Sequence, residues 1–446
     1  MKTLMIQTRK LSFGAILPIT LLAYFLILMD NSIIFTSSVD ISKGVGMNAG
    51  ELAWVSNAYT LTFGGFLLLS GRLSDLLGRK RIFQIGLAIF GIMSLVIGLS
   101  QNALTMIAAR AFQGVGASII APTTLALMMD AYTGERRTQA ISYYGATAGI
   151  GASLGLLIGG ALTSLVSWRA GFLINVPLTA LLIALTEKYV KKYEGVTKSI
   201  DYMGSLLSVV ALASLIYGLS TERYGLIFIL AGLVLLIAFY YYERTQHMPI
   251  LPLKLFHSPV RSGAYMVRMI FMMAILPYWF LLPQVMQRVY GFTALESGIA
   301  FLPLSITTFL SALQLSKLTK IMGNNRVLLL GHGALIAGFV WSVCTNLSQG
   351  YFLAVCVPML FIGFGSALVV APVTSAGIHH APDEIAGSAS GLTNTMHQIG
   401  GPIGLSLIMA FASDFHVQLA WMTGFLVIST IIVYFFIYQR GKNPRL

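Results

Sequence analysis

Long apolar stretches separated by short polar breaks constrain this chain more than any other feature. A helix that crosses the hydrocarbon core of a bilayer needs about 20 mostly apolar residues. Only 10% of the 446 residues are charged, against roughly 25% in soluble proteins, so a soluble fold is excluded. Fourteen predicted spans follow one another, at 12–36, 51–71, 81–100, 103–129, 138–163, 168–186, 202–220, 225–242, 262–285, 297–315, 326–346, 350–378, 386–411 and 417–439. The sequence therefore predicts an all-α membrane protein with fourteen transmembrane helices.

The distribution of Lys and Arg predicts the orientation of these spans. If the N-terminus is cytoplasmic, 22 of the 28 Lys and Arg residues fall in cytoplasmic segments. Such a bias follows the positive-inside rule and predicts that both termini are cytoplasmic. The basic excess of +13 then points to lipid headgroups of the cell membrane as partners, and not to nucleic acid. Four basic residues fall outside, Lys43, Arg169, Arg223 and Arg288, and two fall within spans, Arg110 and Arg268.

A segment of the fourth predicted span recurs in the twelfth. The run from Phe112 to Thr124 is matched by the run from Phe361 to Thr374, at an offset of 249 residues and with one extra residue before the Ala-Pro pair of the second copy. The same offset relates glycines of the fifth and thirteenth spans, Gly151 with Gly400 and Gly155 with Gly404. Two homologous halves are typical of secondary transporters.

The repeat also predicts how the chain is divided. Six spans with their loops need about 190–200 residues, so an offset near 250 leaves room for two inserted helices. We expect an N-terminal six-helix bundle at 1–190, a linker with two transmembrane helices at 191–258, and a C-terminal six-helix bundle at 259–446. The short basic start of the chain leads directly into the first span, which favours a retained helix over a removed signal.

Five motifs then identify a family. They are Met29-Asp30-Asn-Ser-Ile-Ile, Gly71-Arg-Leu-Ser-Asp75-Leu-Leu-Gly78-Arg79-Lys80-Arg81, Arg110-Ala-Phe-Gln113-Gly114-Val-Gly116, Gly151-Ala-Ser-Leu-Gly155-Leu156-Leu-Ile-Gly159-Gly160 and Trp168-Arg169-Ala-Gly-Phe-Leu-Ile-Asn175-Val-Pro177. Together they resemble the major facilitator superfamily, and in particular its fourteen-helix drug:proton antiporter branch. That branch includes Gram-positive multidrug pumps for quaternary ammonium dyes and fluoroquinolones.

The resemblance implies roles for particular residues. It implies an inward-closing gate in the loop between spans two and three, at Gly71, Asp75, Gly78, Arg79 and Lys80. It also implies an antiporter motif in span five, at Gly151, Gly155, Gly159 and Gly160. The chain departs from the usual pattern at Leu156, where the motif has proline, and at Thr36–Asp40, where an apolar run with proline is usual.

One acidic residue lies well inside a predicted span. Fourteen of the fifteen acids fall in loops or at span ends, and only Asp30 does not. An ionised carboxylate in hydrocarbon is unfavourable and usually functional. Asp30 could carry a proton and could bind a cationic drug, and competition between the two would produce antiport. The alternative is a structural acid stabilised by a neighbour.

Arg110 is the natural partner of Asp30. At 1.5 Å per residue, both lie about 9–10 Å below the outer face in the predicted spans. We therefore predict that Asp30 and Arg110 couple proton transfer, with a separation that changes between conformations. The alternative for Arg110 is a static bond to backbone carbonyls. Arg268 lies near the cytoplasmic end of span nine, where a long side chain can extend to the headgroups.

A drug cavity is apolar and aromatic, with few polar groups. Besides Asp30, side chains of these types near the expected cavity are Trp54, Asn57, Tyr59, Trp279, Gln284, Asn394, His397 and Gln398. For each of them, simple packing is the alternative. Glu51 and Glu296 stand three residues after Asn48 and Thr293, which is the spacing of a capping box. We expect helix capping at both, with attraction of cations as the alternative for Glu51.

No signature of an enzyme is present in the sequence. It contains no phosphate-binding glycine loop, nucleophile triad or metal-ligand spacing, and Cys344 and Cys356 stand alone in apolar segments. The sequence therefore predicts a monomeric, proton-coupled multidrug efflux antiporter that works by alternating access without a cofactor, exports hydrophobic and cationic drugs or dyes, and contributes to antibiotic resistance. A nutrient symporter or uniporter on the same fold, and a non-transporting sensor or membrane-embedded enzyme, remain alternatives.

Overall fold

A computed structural model describes residues 13–191, 201–221, 224–246, 249–381 and 383–442. Its first half contains α1 (Ile16–Val45), α2 (Ala49–Leu77), α3 (Arg79–Gly98), α4 (Ala103–Ala131), α5 (Gly134–Leu165), α6 (Trp168–Leu173) and α7 (Asn175–Tyr189). Two further helices follow, α8 (Tyr202–Ser220) and α9 (Gly225–Thr245). The second half contains α10 (Pro259–Val289), α11 (Ala294–Ala300), α12 (Leu302–Met322), α13 (Asn324–Cys344), α14 (Val357–Gly377), α15 (Asp383–Phe411), α16 (Phe415–Ile432) and α17 (Gln439–Lys442). Within these residues the structure is helical and has no strand.

The number of long helices fits the fourteen predicted spans. Eleven segments of the described chain are long and apolar enough to cross a membrane. Three more helices, α2, α5 and α15, have 29, 32 and 29 residues, which also suffices at 1.5 Å per residue. Two predicted spans are interrupted, the sixth between α6 and α7 and the tenth between α11 and α12.

The first helix differs most from its predicted bounds. The polar residues from Thr36 onward predicted an end at 36, but α1 continues to Val45 and ends at Gly46, whose φ is 72°. Glycine adopts this left-handed conformation without the strain of a side chain. Asp30 therefore lies in the middle of a 30-residue helix. It is further from the outer end of this helix than we predicted.

The repeated glycines make equivalent contacts in the two halves. A Cβ atom at Gly116 of α4 would be 2.9 Å from the backbone nitrogen of Phe90 in α3. At Gly365 of α14, a Cβ atom would be 2.6 Å from the carbonyl oxygen of Gly331 in α13. Both approaches are too close for any side chain. Helix packing at this distance through small residues is common in membrane proteins, and here the sequence repeat preserves it.

A second pair of repeated glycines shows which residues of the two halves are equivalent. Gly155 of α5 packs on the backbone of Met29 in α1, and Gly404 of α15 packs on the backbone of Met273 in α10. The two helix pairs, α1 with α5 and α10 with α15, thus occupy equivalent places. Met29 corresponds to Met273 in this register.

The two halves join near the ends of the helices that are predicted to be external. The Gln287 side chain donates a hydrogen bond of 2.8 Å to the carbonyl of Thr36, and the backbone nitrogen of Leu295 donates one of 3.0 Å to the Ser164 hydroxyl. Each bond connects the first half with the second. The side that is predicted to be external is therefore closed between α1, α5, α10 and α11.

The two inserted helices pack at a second contact between the halves, the one between α2 and α15. They contact each other, and α8 also contacts α2 and α15, which belong to different halves. Val209 of α8 lies against Gly65 of α2, where an added Cβ would approach within 2.6 Å. In contrast, α9 exposes apolar residues such as Leu226 and Val234. An exposed apolar helix face is expected to contact lipid.

Both predicted capping boxes are present. The Asn48 side chain accepts a hydrogen bond from the backbone nitrogen of Glu51, and the Glu51 carboxylate accepts one from the backbone nitrogen of Asn48. Thr293 and Glu296 form the same reciprocal pair at the start of α11. The prediction of helix capping is confirmed at both sites.

Candidate functional site

Asp30 and Arg110 form an ion pair in the interior of the first half. The Arg110 Nη1 atom donates a hydrogen bond of 2.6 Å to Asp30 Oδ2, and both residues are 0% exposed. The pair joins α1 to α4. The equal depths predicted from the sequence left open whether the two residues touch, and in this conformation they do.

Two amides complete the surroundings of the Asp30 carboxylate. Gln113 Nε2 and Asn175 Nδ2 donate hydrogen bonds of 2.9 and 2.7 Å to Asp30 Oδ1. The Ser94 hydroxyl contacts both amides, at 2.8 and 3.3 Å. Sequence reasoning did not select Gln113, Asn175 or Ser94 as site residues. The spacing of Gln113, three residues after Arg110 on α4, was the available signal.

The Arg110 guanidinium is also enclosed by α2. Its Nε atom donates a hydrogen bond of 3.2 Å to the carbonyl of Val55, and its carbon lies 4.1 Å from the centre of the Tyr59 ring. A cation over an aromatic ring is attracted by the ring's negative face. Tyr59 is 0% exposed, so it belongs to this closed pocket and does not line an open cavity in this conformation.

Protonation of Asp30 would change the charge balance of this site. As long as Asp30 is ionised, the charge of Arg110 is balanced. If Asp30 takes up a proton, Arg110 becomes a buried charge without a counterion, which is strongly unfavourable. Protonation therefore favours a separation of α1 and α4 that lets other groups or water reach the guanidinium.

The glycines of the antiporter motif place α1 against α5 around Asp30. A Cβ atom at Gly155 would be 2.8 Å from Met29 Cα, and one at Gly159 would be 2.8 Å from Ile33 Cα. At Gly151 a Cβ atom would be 3.0 Å from the Leu28 side chain. Gly160 has a different partner, because its Cβ atom would approach the carbonyl of Ala294 in the second half at 2.6 Å.

The predicted substrate residues of the outer half form no single cluster. The Asn57 side chain is buried and donates a hydrogen bond of 3.0 Å to Ser406 across the two halves. Trp54 contacts Tyr217 of α8, with ring centres 6.0 Å apart. Gln284 donates to the carbonyl of Phe280 in its own helix. These contacts fit packing and closure of the outer side.

Other candidates lie closer to the space between the halves. Trp279 of α10 packs edge-on against Phe35 of α1, with ring centres 6.1 Å apart, and its buried Nε1 atom has no hydrogen-bond partner. On α15, Asn394 is exposed and His397 is half-buried. Gln398 lies beside Gly64 of α2, where an added Cβ would be 2.6 Å from its Cβ.

The loop between α2 and α3 binds other helices of the first half. Gly78 has a φ of 89° and connects the two helices, a conformation that favours glycine. Arg79 donates a hydrogen bond of 2.9 Å to the carbonyl of Ala126 and forms an ion pair with Asp130. Lys80 pairs with Glu187 of α7 at 3.1 Å. The backbone of Gly71 is helical, and an added Cβ there would be 3.9 Å from Pro122 Cβ of α4. The Asp75 side chain is outside the described part of the structure.

Arg79 and Lys80 are expected to differ when each is replaced by alanine. Arg79→Ala removes a hydrogen bond to a carbonyl and a partly buried ion pair, and should lower the free energy of unfolding by about 1.5–3 kcal/mol. Lys80→Ala removes an exposed hydrogen bond to the carbonyl of Glu187 and an ion pair whose acid is largely exposed, and should change the free energy of unfolding by about 0–1 kcal/mol. Thermal unfolding of the purified protein in detergent measures both, and equal losses would contradict the assignment.

Two repeated helix bundles, a closed outer side and a buried ion pair within one bundle define a multi-pass membrane transporter and not an enzyme. Residues 20–405 match the family model described as Major Facilitator Superfamily. The chain therefore belongs to the major facilitator superfamily, as its motifs predicted.

Similar proteins support the same assignment. The chain is 32% identical over 400 residues to the cephamycin export protein CmcT of Amycolatopsis lactamdurans, covering 87% of this chain and 82% of that protein. It is 30% identical over 407 residues to the puromycin resistance protein pur8 of Streptomyces alboniger, covering 88% and 80%. The crystal structure of a D-xylose-proton symporter shares the fold, with a TM-score of 0.70 at 12% identity over 95% of this chain and 97% of that one.

Proposed function

We propose that this transporter is a proton-coupled exporter of hydrophobic and cationic drugs or dyes. The observation that carries the proposal is the enclosed Asp30–Arg110 pair at the middle of α1. Support for export comes from the relatives, whose names describe cephamycin export and puromycin resistance. The cell membrane as location, cytoplasmic termini, a monomeric state and a contribution to antibiotic resistance belong to the same proposal.

The proposed cycle separates the proton from the drug. The drug occupies the space between the halves, while the proton is carried by Asp30 inside the first half, because Asp30 has no exposed surface in this conformation. Protonation from the outside releases Arg110 and favours the orientation of α1 that closes the outer side. The proton then leaves to the cytoplasm from this outward-closed form and the ion pair forms again, so proton entry is exchanged for drug export.

Transport in inverted membrane vesicles tests the proposal. Vesicles from cells that produce the chain are given an acidic interior, and ethidium fluorescence is followed. We expect the vesicles to take up ethidium only while the proton gradient exists, and a protonophore to abolish the uptake. Vesicles without the chain serve as the control. Uptake that ignores the gradient, or gradient-driven release of preloaded dye, would contradict proton-coupled export and favour import.

A further inference from the structure

Arg268 is a buried cation to which the proposed cycle gives no role. It lies in the cytoplasmic half of α10 and is 5% exposed. Its Nη1 atom donates a hydrogen bond of 3.2 Å to the carbonyl of Val370 in α14, and its buried Nε atom has no partner. The expected extension towards the headgroups is therefore wrong, because the side chain turns into the bundle instead.

The charge of Arg268 is not balanced by a carboxylate. Among the residues whose side chains are described, no acid forms an ion pair with it. The sequence explains this, since Asp30 is the one acid well inside a predicted span and it already pairs with Arg110. A buried guanidinium without a counterion is unfavourable, so such a site favours an anion from outside the protein.

The helix register places Arg268 at the junction of the two halves. Because Met29 corresponds to Met273, Tyr24 of α1 corresponds to Arg268 of α10. The two residues lie on helices that contact each other across the halves. The Tyr24 ring stacks on Tyr144 of α5, with ring centres 3.9 Å apart and planes at 13°. Two stacked aromatic rings of the first half thus lie on and beside a helix that contacts α10, at the register position equivalent to Arg268.

His397 of α15 adds a second polar group. It lies about one turn before Gly400, where an added Cβ would be 2.2 Å from the carbonyl oxygen of Met269, the residue after Arg268. The buried Nδ1 atom of His397 has no hydrogen-bond partner. One helical turn earlier, Asn394 is exposed. Arg268 and His397 therefore each hold an unsatisfied buried nitrogen, while Asn394 lies on the open side of α15.

We propose that Arg268, together with His397 and Tyr24, binds the anionic group of a transported molecule, such as a carboxylate. This inference rests on the proposed export function. It adds acids and zwitterions with a flat aromatic part to the proposed substrates. A guanidinium can bind a carboxylate through two parallel hydrogen bonds, the tyrosine hydroxyl can donate another, and the stacked rings can contact an aromatic system.

A matched pair of dyes tests the site directly. A rhodamine with a free carboxyl group and its ethyl ester differ only in the anionic charge. Binding of each to the purified full-length protein in detergent is measured by fluorescence anisotropy. We expect Arg268→Gln to weaken binding of the acid by about tenfold or more, as loss of a charge-assisted hydrogen bond implies, and to change binding of the ester less than about twofold. Arg268→Lys should lie between the wild type and Arg268→Gln for the acid.

Arg261 provides the matched control on the same helix. It is also a buried arginine, but it donates hydrogen bonds to four backbone carbonyls, those of Lys254, Leu255, His379 and His380. Arg261→Gln should therefore reduce the thermal stability and should change the binding of the acid and of the ester to the same extent. Equal losses for both dyes in Arg268→Gln, or a wild-type protein that does not bind the acid, would overturn the anion site. Arg268-dependent binding of the acid without gradient-driven transport of either dye would support the site and reject proton-coupled export.

Discussion

Asp30→Asn is expected to abolish gradient-driven dye uptake, with a loss of about a hundredfold or more, because no other described acid lies inside the first bundle to take its place. Asparagine has nearly the same shape and can still receive the Gln113 and Asn175 amides at its oxygen. It carries no proton that it can release. Ethidium uptake in acid-loaded inverted vesicles measures the effect.

A stability control distinguishes lost coupling from lost folding. Asp30→Asn leaves the Arg110 guanidinium buried without its counterion, which should reduce the free energy of unfolding by about 3–5 kcal/mol. The double variant Asp30→Asn with Arg110→Gln removes both charges and should regain most of that stability. If the double variant is stable and inactive, the Asp30–Arg110 pair is needed for coupling and not only for folding. Normal uptake with normal pH dependence in the single variant would show that the proton travels elsewhere.

The number of long helices in the structure fits the number predicted from the sequence, because the bilayer sets the length of each span. The length of each apolar stretch matches the thickness of the hydrocarbon core. The glycines of the repeat lie where helix backbones approach each other closely, as at Gly116 and Gly365. The end of a helix outside the bilayer cannot be predicted from the apolar length. The polar run from Thr36 to Asp40 predicted the end of the first span, but α1 continues in a helical conformation to Val45, and Thr36, Ser37 and Ser38 are buried within the protein.

The candidate site was predicted in part. Asp30 stands out because an acid within a span is rare, and Arg110 follows from its similar depth. The amides of Gln113 and Asn175 carry no such signal, since a neutral amide is tolerated in any bundle by bonding to a neighbour. Tyr59 was assigned to a drug cavity by its residue type, whereas its contact with Arg110 depends on the rotation of α2. The prediction for Arg268 was wrong for a similar reason. Its position in the sequence does not determine whether the side chain points to the headgroups or into the bundle.

Gly155→Ala is expected to disable the transporter although it adds a single methyl group. The new Cβ atom would lie 2.7 Å from Ser32 Cβ and 2.8 Å from Met29 Cα, so α1 must move away from α5. Overpacking of this kind reduces the free energy of unfolding by about 1–3 kcal/mol. Because Met29 precedes Asp30, the shift also disturbs the ion pair with Arg110, and we expect dye uptake to fall by about tenfold.

Gly145→Ala supplies the matched control on the same helix. A Cβ atom at Gly145 meets nothing within 4 Å, and alanine favours a helix over glycine by about 1 kcal/mol. This variant should therefore keep full uptake and unfold at the same or a slightly higher temperature. If both alanine variants behave alike, the close approach of α5 to Met29 is not needed to position Asp30. A loss confined to Gly155→Ala would show that the glycine motif acts by setting the distance between α1 and α5.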